Sequence, residues 1–145
     1  MTSPAQALAD RLEVEGRQVL TESYAETVQV RHVPPTPGDG QVARSILLAM
    51  GNAELDAIAR ALPDDDARRT TITVDGDVVR MTTRVRGTLP DGSDIAYDSE
   101  SELEVDERGV IAMTVHTAPD ALAEHRRLLA AGGFQVPDEV RNAPR

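Results

Sequence analysis

The sequence has no cysteine, no tryptophan and no lysine, and only one phenylalanine and two tyrosines in 145 residues. Without cysteine there are no disulfides, thiol nucleophiles or thiolate metal sites. Without lysine there is no Schiff-base chemistry on a side-chain amine. The aromatic content of 2% leaves little on which single-stranded bases could stack, and 25 acidic against 15 basic side chains, a net charge of −10, repel a polyphosphate backbone. Nucleic acid is set aside as a partner. No run approaches the ~20 apolar residues of a bilayer span, and Met1 to Asp10 lack the basic and apolar regions of an export signal. Neither membrane nor secretion is expected, and the chain is placed in the cytoplasm.

What remains is one acidic domain. A chain near 150 residues buries roughly two-thirds of the surface its unfolded form exposes, enough for one core and not two. With 40% hydrophobic residues and so few aromatics, that core is built from Val, Leu, Ile, Ala and Met. The expected domain spans residues 1–134, and residues 135–145, polar and carrying Pro137 and Pro144, form a tail expected to be mobile.

Periodicity orders the chain. Leu8 and Leu12 recur at helical spacing behind the N-cap candidate Ser3 and Pro4, predicting a helix from Pro4 to Glu15, and a second short helix runs from Arg17 to about Tyr24. Val28, Val30 and His32 alternate with polar residues and end at Pro34-Pro35, which predicts a strand. Asp39 is a candidate cap for a helix carrying Val42, Ile46, Leu47 and Met50. Gly51 is expected to close it and Asn52 to open another, with Leu55, Ile58, Ala59 and Leu62 inward until Pro63. Asp64, Asp65 and Asp66 read as a solvated link, since three adjacent carboxylates rarely converge on an ion unaided. From Arg69 the period is two. Strands are predicted over Thr71–Asp75, Val78–Gly87, Ile95–Val105 and Val110–Thr117, with turns at Gly76, Gly92 and Gly109, and Pro119 opens a last helix.

Alternation separates two faces of the central hairpin. Val79, Met81, Thr83 and Val85 share one side with Ile95, Tyr97, Ser99, Ser101, Leu103 and Val105, whereas Arg80, Arg84 and Arg86 point away, as do Asp94, Asp98, Glu100, Glu102 and Glu104. Pairing Arg84 with Asp98 and Arg80 with Glu102 reinforces the register by only about 0.2–1 kcal/mol per pair. The last strand admits two settings. A two- or four-residue turn puts Val110, Ala112, Thr114 and His116 inward. A bulge near Gly109 instead turns in Ile111, Met113 and Val115, which buries more apolar surface and leaves His116 outside.

Four stretches, in order, carry a family likeness. Glu15-Gly16 followed by Tyr24-Ala25-Glu26-Thr27-Val28 looks like a second helix running into an "A-D-D-V" strand. His32-Val33-Pro34-Pro35 looks like "H-D-P-P", Val74-Asp75-Gly76-Asp77-Val78-Val79 like a "GD-x-V" strand pair, and Asp106-Glu107-Arg108-Gly109-Val110-Ile111 like a "DGKI" turn. The chain resembles the nuclear transport factor 2-like superfamily, its SnoaL-like branch in particular, over roughly Gly16 to Thr117. That resemblance implies an α+β fold: a curved antiparallel sheet wrapped around N-terminal helices as a cone with a central pocket, plus a short C-terminal helix. Members include ketosteroid isomerase, polyketide cyclases and epoxide hydrolases, together with non-catalytic binding and dimerising modules. It also implies a homodimer formed through the outer sheet surface.

Two functions stay open. One is a cofactor-independent isomerase, cyclase or hydratase acting on an apolar, oxygenated small molecule of polyketide- or steroid-like character, working by general acid–base catalysis. The other is a ligand-binding or dimerisation module of the same fold. No strand carboxylate falls inward, so histidine is the candidate base. His32 is a pocket base or else a hydrogen-bonded histidine fixing the proline loop. Tyr97 is a hydroxyl donor or a core tyrosine, and His116 depends on the register. Tyr24, Met81, Thr83, Ser99, Ser101 and Met113 complete the expected pocket. His125, beside Leu128 and Leu129, reads as packing, and three scattered histidines make no metal site. An open cone on which His32 and Tyr97 converge favours the enzyme. A cone filled by Met81, Met113 and Leu103 favours the module.

Overall fold

Ser3 accepts a hydrogen bond from the Gln6 amide at 3.1 Å and Pro4 sits in the first turn, so α1 (Pro4–Glu15) begins at its expected cap and buries Ala5, Leu8, Ala9 and Leu12. The structure, a computed structural model, describes residues 2–142; Met1 and residues 143–145, including Pro144 of the expected mobile tail, lie outside the described residues. Gly16 ends α1, and a 3-10 helix over Arg17–Glu22 seats Val19 and Leu20 in the core. It stops short of Tyr24, which starts β1 (Tyr24–Val33).

The next segment departs from expectation. Val42 lies in a short strand, β2 (Gly40–Ala43), paired antiparallel with β1, and one continuous helix, α2 (Arg44–Ala61), runs through Gly51. A mid-helix glycine costs about 1 kcal/mol against alanine. Burial of Ala57, Ile58, Ala61 and the adjoining Leu62 outweighs it, while Ala59 is exposed. Asp39 does not cap α2, whose N-cap is Ala43 without a side-chain bond. Asp64 to Asp66 are exposed, with Asp64 accepting the Asp66 amide.

The meander follows as β3 (Arg68–Asp75), β4 (Val78–Thr88), β5 (Asp94–Asp106) and β6 (Gly109–His116), then α3 (Pro119–Ala131) and α4 (Asp138–Arg141), which touches α2. The six strands form one open sheet in the order β2-β1-β6-β5-β4-β3. Every neighbouring pair is antiparallel except β1 and β6, which are parallel. No hairpin links those two, so no turn forces them to oppose, and the expected wholly antiparallel sheet is a mixed one. Arg80 pairs with Glu102 and Arg84 with Asp98 on the outer face, the register read from alternation. At the last hairpin both settings hold in part. Val110 pairs with Val105 and is fully buried; then a bulge leaves Ile111 over and brings Met113 opposite Leu103 and Val115 opposite Ser101. Gly109, at φ 108°, is needed there twice, because a Cβ would also lie 2.2 Å from the Ser23 carbonyl that accepts the Val110 amide.

Among the described residues no helix is long and apolar enough to cross a membrane.

Candidate functional site

Cross-strand pairing arranges the inner face in rows. The first is apolar: Val30, Met113, Leu103, Val79 and Val74. The second holds His32, Val115, Ser101, Met81 and Ile72, the third Ser99, Thr83 and Thr70, and the fourth Tyr97, Val85 and Arg68. Polarity therefore rises along the sheet. α1 packs over the meander at the apolar end, α2 and α3 cover the other, and an open cavity of about 1580 Å³ lies between, lined by the inner faces of both layers. The cone is filled in part: Met81 and Leu103, 2% and 1% exposed, belong to the packed core against which Met113 lies, and all three border the cavity that remains.

At the polar end, three side chains from three elements make a chain. The Tyr97 hydroxyl lies 2.7 Å from His125 Nδ1, and His125 Nε2 lies 3.8 Å from Glu54 Oε1. The two rings meet edge to face at 5.6 Å. Tyr97 comes from the inner parity of β5, His125 from the face of α3 that buries Ala121, Leu128 and Leu129, and Glu54 from α2 one turn before Ala57. The helices meet where a Cβ on Gly132 would fall 1.9 Å from the Ala57 carbonyl, and Arg60 donates to the Gly132 carbonyl at 2.7 Å. That close approach sets His125 against Glu54. Burial, reinforced by the charges of Glu54 and Glu124 and opposed by Arg68 and Arg17, pushes the Tyr97 phenol up to about 12. It is a neutral hydroxyl at physiological pH.

Arg17, Arg68 and, from α4, Arg141 line the same cavity. Arg17 donates to the Thr83 hydroxyl at 3.0 Å, which in turn lies 3.3 Å from the Thr70 hydroxyl. Burial, aided by the charge of Arg68, brings the Arg17 guanidinium down to about 10, and burial also lowers Arg68. Among the described residues neither forms an ion pair, whereas the outer-face arginines Arg80, Arg84 and Arg86 all do.

His32 sits at the cavity wall two rows from Tyr97, about 13 Å along the strands. Its Nδ1 contacts Asp39 Oδ1 at 2.6 Å and its backbone amide donates to both Asp39 oxygens at 3.1 Å, while Thr36 Oγ1 donates to Asp39 at 2.9 Å. The bond from His32 first, then the remaining loop bonds, holds the Asp39 carboxyl down at about 2. His32 thus ties the loop between β1 and β2, and it does not converge with Tyr97. His116 lies outside, opposite Glu100, with Nε2 3.7 Å from Glu102, because the bulge at Ile111 inverts its parity. It does not line the cavity. Tyr24, Met81, Thr83, Ser99, Ser101 and Met113 all do. Among the described residues no group of three or more His, Asp or Glu side chains can hold a metal ion.

Three site residues escaped the sequence reading, and each left a signal. Arg68 shares the inward parity of Thr70, Ile72 and Val74, Glu54 lies four residues from both Met50 and Ile58 on the helix stripe, and Arg17 lies one 3-10 turn from buried Leu20. A charge inside an apolar period was the pointer in every case.

No protein-family model and no curated protein matches the chain. Solved structures do. An NTF2-like protein of Burkholderia thailandensis E264 is 16% identical, covering 87% of this chain and 98% of its own, with a TM-score of 0.57. A protein assigned as a SnoaL-like polyketide cyclase of Jannaschia sp. CCS1 is 15% identical over 83% of this chain and 92% of its own, with a TM-score of 0.56. One assigned as a polyketide cyclase of Acidithiobacillus ferrooxidans is 19% identical over 90% and 98%, with a TM-score of 0.51. The open mixed sheet, the helix-lined cavity and these likenesses together give the chain the nuclear transport factor 2-like fold.

Proposed function

We propose that the protein is a cofactor-independent acid–base enzyme, an isomerase or cyclase, acting on an apolar, oxygenated small molecule in the cavity. The observation that carries this reading is the chain from Tyr97 through His125 to Glu54, with the phenol facing the cavity and the carboxylate behind the imidazole. A carbon next to a carbonyl loses its proton to the Tyr97 oxygen as the hydroxyl proton passes to His125 Nδ1. The substrate becomes an enolate and the imidazole an imidazolium, which the Glu54 carboxylate stabilises. The reverse transfer, delivered to a second carbon or oxygen, completes an isomerisation. Histidine suits both halves because its ordinary pKa lies near neutrality. Met81, Leu103 and Met113 receive the apolar body, and Ser99 and Ser101 offer hydroxyls to its oxygens.

Solvent exchange tests this without a known substrate. Deuterium uptake next to the carbonyl of a panel of cyclic ketones and enones, followed by proton NMR, should exceed the buffer rate. The excess should drop about 10²- to 10⁴-fold in Tyr97→Phe and His125→Gln. His32→Asn should keep it. A panel on which the Tyr97→Phe protein matches the wild type would return the chain to the binding-module reading.

A further inference from the structure

We propose that Arg17 and Arg68 form an internal clamp for a carboxylate, so that the cavity takes an apolar organic acid with its carboxylate end held between the two guanidinium groups. The starting observation is a contrast. Arg80, Arg84 and Arg86 on the outer face lie within 3.1–3.7 Å of Asp or Glu oxygens. Arg17 and Arg68, on the inside, have no such neighbour among the described residues, and both line the cavity. Arg17 gives one hydrogen bond, to Thr83, and Arg68 gives none from its side chain among the described residues. Each guanidinium carries five donors, and no buried side-chain nitrogen is left unsatisfied, so the remaining N–H groups are accessible from the cavity.

Two like charges held inside a protein oppose folding unless something shares the space with them. The charge count says what fits. At the polar end, Arg17 and Arg68 supply two positive charges and Glu54, the carboxylate that acts on both, one negative, which leaves one positive charge there for the ligand to neutralise; Asp39, Glu139 and Arg141 also line the cavity and do not figure among the groups acting on this pair. A monoanion balances it and a phosphate dianion does not. Planar guanidinium groups match the two oxygens of a carboxylate. The position also argues for an acid. Arg68 stands one residue across Val85 from Tyr97, so a carboxylate there lies beside the acid–base chain, with its apolar body towards Met81, Leu103 and Met113.

This inference shares its cavity with the proposed reaction but is read by binding alone. The probes are 2-naphthoate, 2-naphthamide, 2-naphthylmethylammonium and 2-naphthyl phosphate, measured by calorimetry against the full chain. Naphthoate should bind about tenfold or more tightly than naphthamide. The preference should vanish in Arg68→Met and in Arg17→Met, each of which keeps the length and apolar stem. Arg68→Lys, a milder change that keeps the charge without the fork, should retain part of it. Circular dichroism of each variant verifies folding. Equal binding of acid and amide, no naphthoate binding at millimolar concentration, or an undiminished preference in Arg68→Met overturns the clamp. Tighter binding of the phosphate overturns the monoanion assignment. A naphthoate preference without deuterium uptake defeats the catalytic reading and leaves the clamp; uptake without the preference does the reverse.

Discussion

Replacing Arg17 with methionine should make the unliganded protein more stable. Holding this guanidinium near 10, well below its ordinary value, corresponds to about 3 kcal/mol against the charged form, through burial first and the neighbouring Arg68 charge second. Against that stands one charged hydrogen bond to Thr83 at 3.0 Å, worth roughly 1.5 kcal/mol. Thr83 retains its Thr70 neighbour at 3.3 Å, and methionine keeps the packing of the arginine stem. The difference favours Arg17→Met by about 1–2 kcal/mol. In urea at neutral pH, with a slope near 2 kcal/mol per molar, the midpoint should rise by about 0.5–1 M. With saturating 2-naphthoate the order should reverse, because only the wild type gains the full binding energy. A midpoint that falls in Arg17→Met without ligand would refute the reasoning, since the charge would then be a stabilising part of the fold.

The two tyrosines give a clean optical readout: both are raised, by burial first, so phenolate absorbance at 295 nm should lag behind free tyrosine, and the phase near pH 12 should disappear in Tyr97→Phe. Because a neutral phenol is favoured in the folded state, this stability is fully present below about pH 10 and is lost as pH rises towards 12. Two glycines should respond to alanine in opposite directions. Gly51→Ala meets nothing within 4 Å in the middle of α2 and should stabilise by roughly 0.5–1 kcal/mol, whereas Gly132→Ala drives a Cβ into the Ala57 carbonyl and should cost roughly 1–3 kcal/mol and slow deuterium uptake by parting Glu54 from His125. His32→Asn should lower the melting temperature by loosening the Asp39 loop while leaving deuterium uptake intact; the opposite pair of results would restore His32 as a catalytic group. Asp39 is held at about 2, so its loop contribution is present above about pH 4 and should fade in acid melts as pH drops through 2.

Alternation made the meander legible, down to Arg80 opposite Glu102 and Tyr97 on the inner face. A strand has only two faces, and the charges of β4 and β5 marked one of them as outside. Local rules failed where tertiary contacts decide. Gly51 looked like a helix end because nothing in the sequence shows the packing that carries α2 past it. His116 turned on a single bulged residue: the bulged setting leaves it outside, as found, and only the placement of the extra residue at Ile111 lay beyond a period-two count. The candidate site was half visible. The wall residues from Met81 to Ser101 follow from strand parity, but the partner of Tyr97 stands on α3, reached only through the junction of Gly132 with Ala57. Arg17 and Arg68 were masked by composition, since among fifteen basic residues the two facing inward differ from the rest only by their place in the period.

The arrangement on which the proposed chemistry depends can be observed in the imidazole of His125. Nitrogen-15 NMR of the labelled protein, with its three histidines separated by single substitutions, reports which ring nitrogen carries the proton. With Glu54 3.8 Å from Nε2, the neutral ring should hold its proton there and leave Nδ1 to accept from Tyr97 at 2.7 Å. In Glu54→Gln that preference should weaken, and in Tyr97→Phe the Nδ1 resonance should lose its hydrogen-bond shift. A proton resident on Nδ1 in the wild type, or ring shifts unmoved by either substitution, would contradict the proton-transfer chain.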